Sequence, residues 1–151
     1  MANLLHVGLL SGALLSSIPA AAEAPAALPI ARGVWVKSDT PCNVATIAHV
    51  YSNDRFGSVY FYGPNQSMGP ANETEPIVNV GRGQNGFSIV NEGPLEVAAR
   101  PNGQAIVRAF SLSQGVQWTE TVRLCSPEML SPKMHAGLTR AGLLPLVRPR
   151  H

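Results

Sequence analysis

Apolar residues between Val34 and Cys125 come in short runs that alternate with polar residues, without helical spacing. Clusters of Gly, Pro, Asn and Ser separate the runs at short and fairly regular intervals. This pattern is typical of strands in antiparallel sheets. The sequence therefore predicts an all-β fold over residues 32–125, a small antiparallel β-barrel or sandwich of about eight strands.

The stretch Leu95–Cys125 contains three of these strands and two tight turns. Pro101 supplies the φ of about −65° that begins a type I turn, and Asn102 and Gly103 tolerate the left-handed geometry that follows. Residues 113–115, Ser-Gln-Gly, fit the same kind of loop less strongly. We therefore predict a β-meander with a three-residue loop at each turn.

Two such loops determine which side chains stand opposite one another. In that register Glu96 faces Arg108, Arg108 faces Glu120, and Phe110 faces Trp118 on one side of the sheet. Cross-strand pairs of this kind stabilise a sheet by about 0.2–1 kcal/mol each. This mixed face is the candidate binding face, and its residues are Glu96, Arg108, Phe110, Trp118 and Glu120.

Two interpretations of this face stay open. Inside the fold its three charges would have to be fully paired, and the face would form a polar-floored pocket. Outside the fold it would be a solvated ladder that contributes little to stability, with the C-terminal helix covering Phe110 and Trp118. The aromatic side chains allow a similar choice between cavity lining and core filling; they are Trp35, Tyr60, Tyr62, Phe110 and Trp118.

Residues 63–75 are rich in Gly, Pro, Asn and Ser, which predicts the longest loop of the domain, followed by a strand at 77–80. A long surface loop is the segment that we would expect to act as the reactive element of an enzyme inhibitor. The glycine-rich residues 81–86 precede a strand and lack the Gly-Lys-Ser/Thr of a phosphate loop, so they are interpreted as a plain turn.

The pattern changes after Cys125, where residues 127–142 contain helix formers. Leu130, Met134 and Leu138 recur every fourth residue and form one apolar stripe. Pro132 either breaks this helix or restarts it. Residues 126–151 are therefore predicted to form a short helix packed on the barrel and a tail that frays from Leu143 onwards.

Residues 1–22 contain no Asp, Glu, Lys or Arg and include an apolar run from Val7 to Ile18. Three alanines follow at 20–22 as an A-x-A cleavage pattern, which predicts a secretory signal peptide over 1–22. The alternative is an N-terminal membrane anchor, although the run is short for a span. The Ala- and Pro-rich residues 23–31 predict a disordered linker. We expect no membrane span after cleavage.

The chain of 151 residues has two cysteines, Cys42 and Cys125, near the two ends of the β-rich region. An even number of cysteines in an exported protein indicates a disulfide, and only one pairing is available here. The bond would close a loop of roughly 80 residues and stabilise the fold by about 4–5 kcal/mol through the entropy of the unfolded chain. Free thiols or a catalytic cysteine are the alternatives, but neither cysteine lies in a C-x-x-C motif or beside a His.

The charge distribution argues against a nucleic-acid partner. Residues 32–125 carry seven basic and seven acidic side chains, so the predicted domain is neutral. The alkaline isoelectric point of about 8.8 comes from the tail after Cys125, which holds four basic residues and one acidic residue. Nucleic-acid binding needs a basic patch on a folded surface. The basic tail is therefore interpreted as a solvated terminus.

The sequence contains no motif that indicates catalysis, a metal or a cofactor. A Ser-His-Asp triad would have to use His49, which lies in mid-strand without a G-x-S-x-G elbow, so His49 is interpreted as a half-buried strand residue. Two glycosidase carboxylates would have to be Glu96 and Glu120. Arg108 between them would favour their ionised forms and oppose a general acid. We therefore expect no enzymatic activity and no cofactor.

Residues 32–42, RGVWVKSDTPC, resemble the opening of a set of small exported β-rich proteins of alphaproteobacteria. Those proteins share a leader, an R-G-aromatic strand, a T-P-C turn and a β-rich body, and they often have more than two cysteines. The general layout is also similar to calycin-type barrels and periplasmic lysozyme inhibitors. The resemblance implies an exported β-rich protein, and it assigns no site residues.

Together these observations predict an exported, non-catalytic β-barrel protein, periplasmic or secreted, that binds a small molecule or a partner protein. The alternative is an inhibitor of a periplasmic or extracellular enzyme, either a lysozyme or a protease.

Overall fold

The computed structural model describes residues 27–146, so the predicted signal peptide and the end of the tail lie outside it. The described residues form nine strands and one α-helix. The strands are β1 Gly33–Lys37, β2 Ile47–Ser52, β3 Arg55–Tyr62, β4 Met68–Pro76, β5 Val80–Arg82, β6 Ser88–Val90, β7 Leu95–Ala99, β8 Gln104–Ser111 and β9 Gly115–Cys125, and the helix is α1 Pro132–Arg140.

All nine strands belong to one antiparallel sheet in the order β4-β3-β2-β1-β9-β8-β7-β6-β5. The first and last strands, β1 and β9, pair with each other in the middle of the sheet. The edge strands β4 and β5 are not neighbours, so the sheet curls into a half-barrel instead of closing. The predicted all-β antiparallel fold with a short C-terminal helix is confirmed.

Strand β4 occupies most of the segment predicted to be the longest loop, so that prediction is wrong for Met68–Pro76. The strand pairs with β3 at one edge of the sheet. Its sequence lacks apolar alternation, but edge strands tolerate proline and charged side chains. The strand predicted at residues 77–80 is found instead at Val80–Arg82, as β5. The inhibitor interpretation therefore loses the free loop on which it was based.

The concave face of the sheet encloses an apolar cluster whose members come from strands as far apart as β3 and β6. Phe56 of β3 and Val90 of β6 belong to this cluster, and so does Trp35 of β1, a strand that lies between β3 and β6 in the sheet. Trp35 is 3% exposed, and its Nε1 donates a hydrogen bond to the carbonyl oxygen of Ala31 at 3.0 Å. Burial of this apolar surface holds the two halves of the curled sheet together.

Leu28 and Ile30 pack into the same cluster, so the predicted disordered linker 23–31 is wrong for its described part. The backbone N–H of Leu28 also donates to the hydroxyl oxygen of Tyr51 at 3.4 Å. The composition of this stretch is typical of a linker, but its two large apolar side chains gain free energy by burial. Order therefore begins before Arg32.

A second apolar cluster lies on the convex face over β1, β2 and β3, where α1 covers it. The helix begins at Pro132, because the Ser131 side chain accepts a hydrogen bond from the Met134 N–H and proline suits the first helical turn. The predicted stripe is confirmed, since Leu130, Met134 and Leu138 are all buried in this cluster.

The chain beyond α1 remains part of this cluster. Leu143 and Leu144 are buried there, so the predicted fraying from Leu143 is wrong at these two residues. The helix lies away from Phe110 and Trp118, and it is not the cover that the sequence suggested for them.

Cys42 and Cys125 meet within the same cluster, with their sulfur atoms at bonding distance, 2.02 Å. Their Cα atoms lie 6.0 Å apart, within the usual range for a disulfide. The pairing is the one predicted, and it ties the turn after β1 to the end of β9.

Candidate functional site

The predicted binding face is divided by a β-bulge between β8 and β9. Glu96 lies opposite Arg108, as predicted. In the second hairpin Ser111 pairs with Gly115 and Phe110 with Val116, but the next pair is Ala109 with Trp118, which leaves Gln117 as an extra residue. One extra residue reverses which face each following side chain occupies.

The register predicted beyond this bulge is therefore wrong. Arg108 lies opposite Thr119, and Glu120 lies opposite Val107. Glu96, Arg108 and Phe110 point to the convex face, whereas Trp118 and Glu120 point to the concave face. The five predicted residues thus belong to two separate sites, here called the convex groove and the concave cleft.

The convex groove is built on the ion pair between Glu96 and Arg108. The Glu96 residue is only 4% exposed, and its Oε2 accepts a hydrogen bond from Arg108 Nε at 2.5 Å. The guanidinium carbon of Arg108 lies 3.6 Å from the centre of the Phe87 ring and 5.7 Å from that of Phe110. Cation–π contact with two rings and the carboxylate together compensate for the burial of both charges.

Two adjoining cavities surround this pair. The larger has a volume of about 540 Å³ and the smaller about 260 Å³. Both are lined by Ile89, Glu96, Phe110 and Leu112, and the smaller also by Arg108. A volume of 540 Å³ lies within the range typical of small-molecule sites.

A turn at Gln84–Gly86 brings Phe87 over the Arg108 side chain. Asn85 has φ of 54° and Gly86 has φ of 79°, a left-handed pair that suits Asn and Gly. A Cβ on the nearby Gly83 would lie 3.3 Å from Glu96 Oε1, so a glycine leaves room beside this oxygen. Oε1 has no hydrogen-bond partner among the described residues, yet it is not sealed from solvent.

The concave cleft is centred on His49, which is buried and not half-buried as the sequence suggested. Its Nδ1 lies 3.2 Å from Ser58 Oγ, and its Nε2 lies 3.0 Å from Glu120 Oε2. A proton on Nε2 and none on Nδ1 satisfies both contacts, with Ser58 as the donor to the ring. The Trp118 ring stacks on the imidazole at a centroid distance of 5.8 Å and an interplanar angle of 17°.

Hydrogen bonds within the cleft shift the pKa values of two of its ionisable groups, Glu120 and Tyr60. The hydrogen bond from His49 holds the pKa of Glu120 below its ordinary value of 4.5, against a smaller opposing effect of burial. Tyr60, on the same face, donates from its hydroxyl to Glu73 Oε1 at 2.7 Å. This hydrogen bond raises the pKa of Tyr60, because it favours the protonated phenol.

The hydrogen-bonded residues Ser58, His49 and Glu120 stand in the order of a nucleophile, a base and an orienting carboxylate. Acyl transfer also needs backbone or side-chain donors aimed at the developing oxyanion. Ser58 lies on β3, next to the edge strand β4, and is paired with His49 on one side and Glu73 on the other. This pairing uses backbone N–H groups of β3 in the sheet, and the three side chains together hold the imidazole in place.

The sequence analysis did not predict the hydrogen-bonded cluster of Ser58, His49 and Glu120, although the contact between Ser58 and His49 was predictable. A two-residue turn at Asn53-Asp54 sets Ser52 opposite Arg55 and therefore His49 opposite Ser58. The contact with Glu120 was not predictable in this way, since it depends on the pairing of β1 with both β2 and β9 and on the bulge.

Within residues 27–146, no helix is long and apolar enough to cross a membrane. The range also contains no group of three or more His, Cys, Asp or Glu side chains placed to hold a metal ion.

Comparison of the chain with protein-family models, with curated proteins and with solved structures gives no match. The resemblance of residues 32–42 to exported proteins of alphaproteobacteria therefore stays a prediction.

Proposed function

We propose that the protein is an exported, non-catalytic binding protein that holds a small and mainly apolar molecule in the convex groove. The observation that carries this proposal is the Glu96 carboxylate, which is almost fully buried at a cavity of about 540 Å³ and keeps one oxygen without a partner. Because this oxygen is not sealed from solvent, a ligand in the cavity can reach it. A ligand that donates to Oε1 would complete the site.

The surroundings of Glu96 indicate the kind of ligand. Arg108 neutralises the carboxylate, so a neutral O–H or N–H group suits Oε1 better than a full positive charge. The other shared lining residues are apolar, and Leu112 is 98% exposed at the rim. A large apolar side chain held in water gains free energy when a ligand covers it. The ligand therefore has an apolar body and one hydrogen-bond donor.

An oxidising location outside the cytoplasm is part of the proposal. The Cys42–Cys125 disulfide supports it, because such bonds persist in the periplasm and in secreted proteins. The leader pattern of residues 1–22 points the same way.

N-phenyl-1-naphthylamine is a suitable probe, since it is apolar, carries a single N–H donor and becomes fluorescent in apolar surroundings. We expect saturable binding with one probe per protein. A Cβ on Gly81 would meet only Ile89 Cβ, at 3.8 Å, so the side chain of Gly81→Leu extends into the larger cavity. This variant should weaken probe binding at least about tenfold, because the leucine occupies the space of the ligand.

Val78→Leu is the matched control, since Val78 is 78% exposed and lies outside both cavities. It should bind the probe as the unmodified protein does. Circular dichroism and urea denaturation verify that both variants are folded. Probe fluorescence that never saturates, or equal affinity of Gly81→Leu and Val78→Leu, would contradict the proposal.

A further inference from the structure

The concave cleft is a second cavity, on the opposite face of the sheet from the convex groove. Its volume is about 260 Å³. We infer that it binds an organic ammonium ion. The residues that line it are Ile47, His49, Ser58, Tyr60, Glu73, Trp118 and Glu120.

Apart from the indole N–H of Trp118, which has no partner among the described residues, the hydrogen-bond donors of the cleft are already used within the protein. The Tyr60 hydroxyl donates to Glu73 Oε1, and the Ser58 hydroxyl is engaged with the ring of His49. The other ring nitrogen of His49 is engaged with Glu120 Oε2. Each carboxylate keeps a second oxygen as an acceptor. The cleft therefore offers acceptors and few donors, which suits a ligand that only donates or that is positively charged.

The charge of the lining also favours a positively charged ligand. Glu73 and Glu120 are acidic, and no Lys or Arg lines this cavity. Lys37 lines the neighbouring small cavity together with Glu120 and pairs with Asp39 at 3.2 Å. A cation in the cleft is thus attracted by two carboxylates, and Lys37 is already partly neutralised.

Aromatic rings provide the remaining contacts. The Trp118 residue is 39% exposed, and its ring stacks on His49. Tyr60 lines the same cavity and meets Tyr62 edge to face at a centroid distance of 6.2 Å. Indole and phenol rings attract an alkylated ammonium through their faces, while its methyl or methylene groups fill apolar space.

A saccharide would stack on Trp118 equally well, but its several hydroxyl groups need donors as well as acceptors, and the Trp118 indole N–H is a single donor. An anion would meet two carboxylates. Among ligands with an apolar surface, the ammonium ion is therefore the class that this lining fits best.

Choline chloride is the probe, and 3,3-dimethylbutan-1-ol is its neutral isostere, with a carbon atom in place of the charged nitrogen. Tryptophan fluorescence reports binding, since Trp35 is buried and a ligand in the cleft contacts only Trp118. We expect a saturable change with choline, none with the isostere, and none with glucose. Saturation-transfer NMR on the choline methyl groups verifies the result without depending on fluorescence.

Glu73→Gln tests the charge while retaining an oxygen that accepts from the Tyr60 hydroxyl. It should weaken choline binding about fivefold. Glu75→Gln is the matched control, because Glu75 is exposed on the same strand and face but lines a different cavity. This control should bind choline unchanged.

Four results would overturn the inference. Choline and its isostere could bind equally, glucose could bind in place of choline, or the two glutamine variants could lose affinity to the same extent. Failure of choline to bind at all by either readout would also reject it. Because the convex groove is tested with a different probe and different variants, the two proposals succeed or fail independently.

Discussion

Two carboxylate pairs on opposite faces of one sheet, Glu96–Arg108 and Glu120–His49, differ in which member is buried. In the convex groove the acid is the hidden group, with 5% of the Glu96 side chain and 15% of the Arg108 side chain exposed. In the concave cleft the order is reversed, with 33% of the Glu120 side chain and 4% of the His49 side chain exposed.

The difference determines what each carboxylate depends on. Glu96 has lost most of its contact with water, so Arg108 is its main source of stabilisation. Glu120 remains in contact with water and needs His49 far less. The convex pair should therefore dominate stability, while the concave pair should show its effect mainly through pH.

Arg108→Ala should produce the largest loss of stability. The substitution leaves the Glu96 carboxylate buried and unpaired, and it removes the cation from between Phe87 and Phe110. We expect the free energy of unfolding to fall by about 3 kcal/mol at neutral pH. Urea denaturation followed by circular dichroism measures this change.

Arg100→Ala is the control, since Arg100 is exposed beside the first hairpin turn of the meander. Its free energy of unfolding should stay within about 0.5 kcal/mol of the unmodified protein. If the two alanine variants are equally stable, Glu96 does not depend on Arg108.

Replacing both members of the convex pair should be much less harmful than removing one. In Glu96→Leu/Arg108→Met no buried charge remains, and the two side chains keep a similar volume. The free energy of unfolding should lie within about 1 kcal/mol of the unmodified protein, as for other buried pairs exchanged for apolar residues. The same denaturation experiment tests it.

The double variant also separates stability from function. If it folds stably but no longer binds the naphthylamine probe tightly, the charges are kept for recognition. A double variant as unstable as Arg108→Ala would instead mean that the groove needs this ion pair in order to fold.

The first half of the convex groove was predictable because local turn chemistry decides it. Asn102 and Gly103 adopt φ of 64° and 70°, as a three-residue loop with Pro101 requires, and this loop sets Glu96 opposite Arg108. The apolar stripe of α1 and the cysteine pair were predictable for similar reasons, since spacing and number alone indicate them.

The separation into two sites was not predictable from the same reasoning. Nothing in the composition of β9 distinguishes Gln117 as the extra residue of a bulge, yet that residue moves Glu120 to the other face. Strand β4 escaped prediction because an edge strand needs no apolar alternation. Both features depend on pairing between distant segments and on the curl of the whole sheet.

Glu120→Gln should produce the smallest effect, and it should depend on pH. The hydrogen bond from His49 holds the pKa of the Glu120 carboxyl below its ordinary value, so the folded state binds this proton less readily than the unfolded state. The resulting stabilisation is complete above the unfolded pKa and is lost as the pH falls through the folded one. Compared with Glu120→Gln, the unmodified protein should be more stable by about 0.5 kcal/mol near pH 6.

That advantage should shrink towards zero near pH 3, and it should also shrink in about 1 M NaCl, where partly exposed charges are screened. Urea denaturation of the two proteins at several pH values measures the difference directly. A difference that stays constant from about pH 6 to pH 3 would show that the Glu120 charge does not stabilise the fold through His49. The proposed contrast between a hidden acid on the convex face and a hydrated one on the concave face would then be wrong.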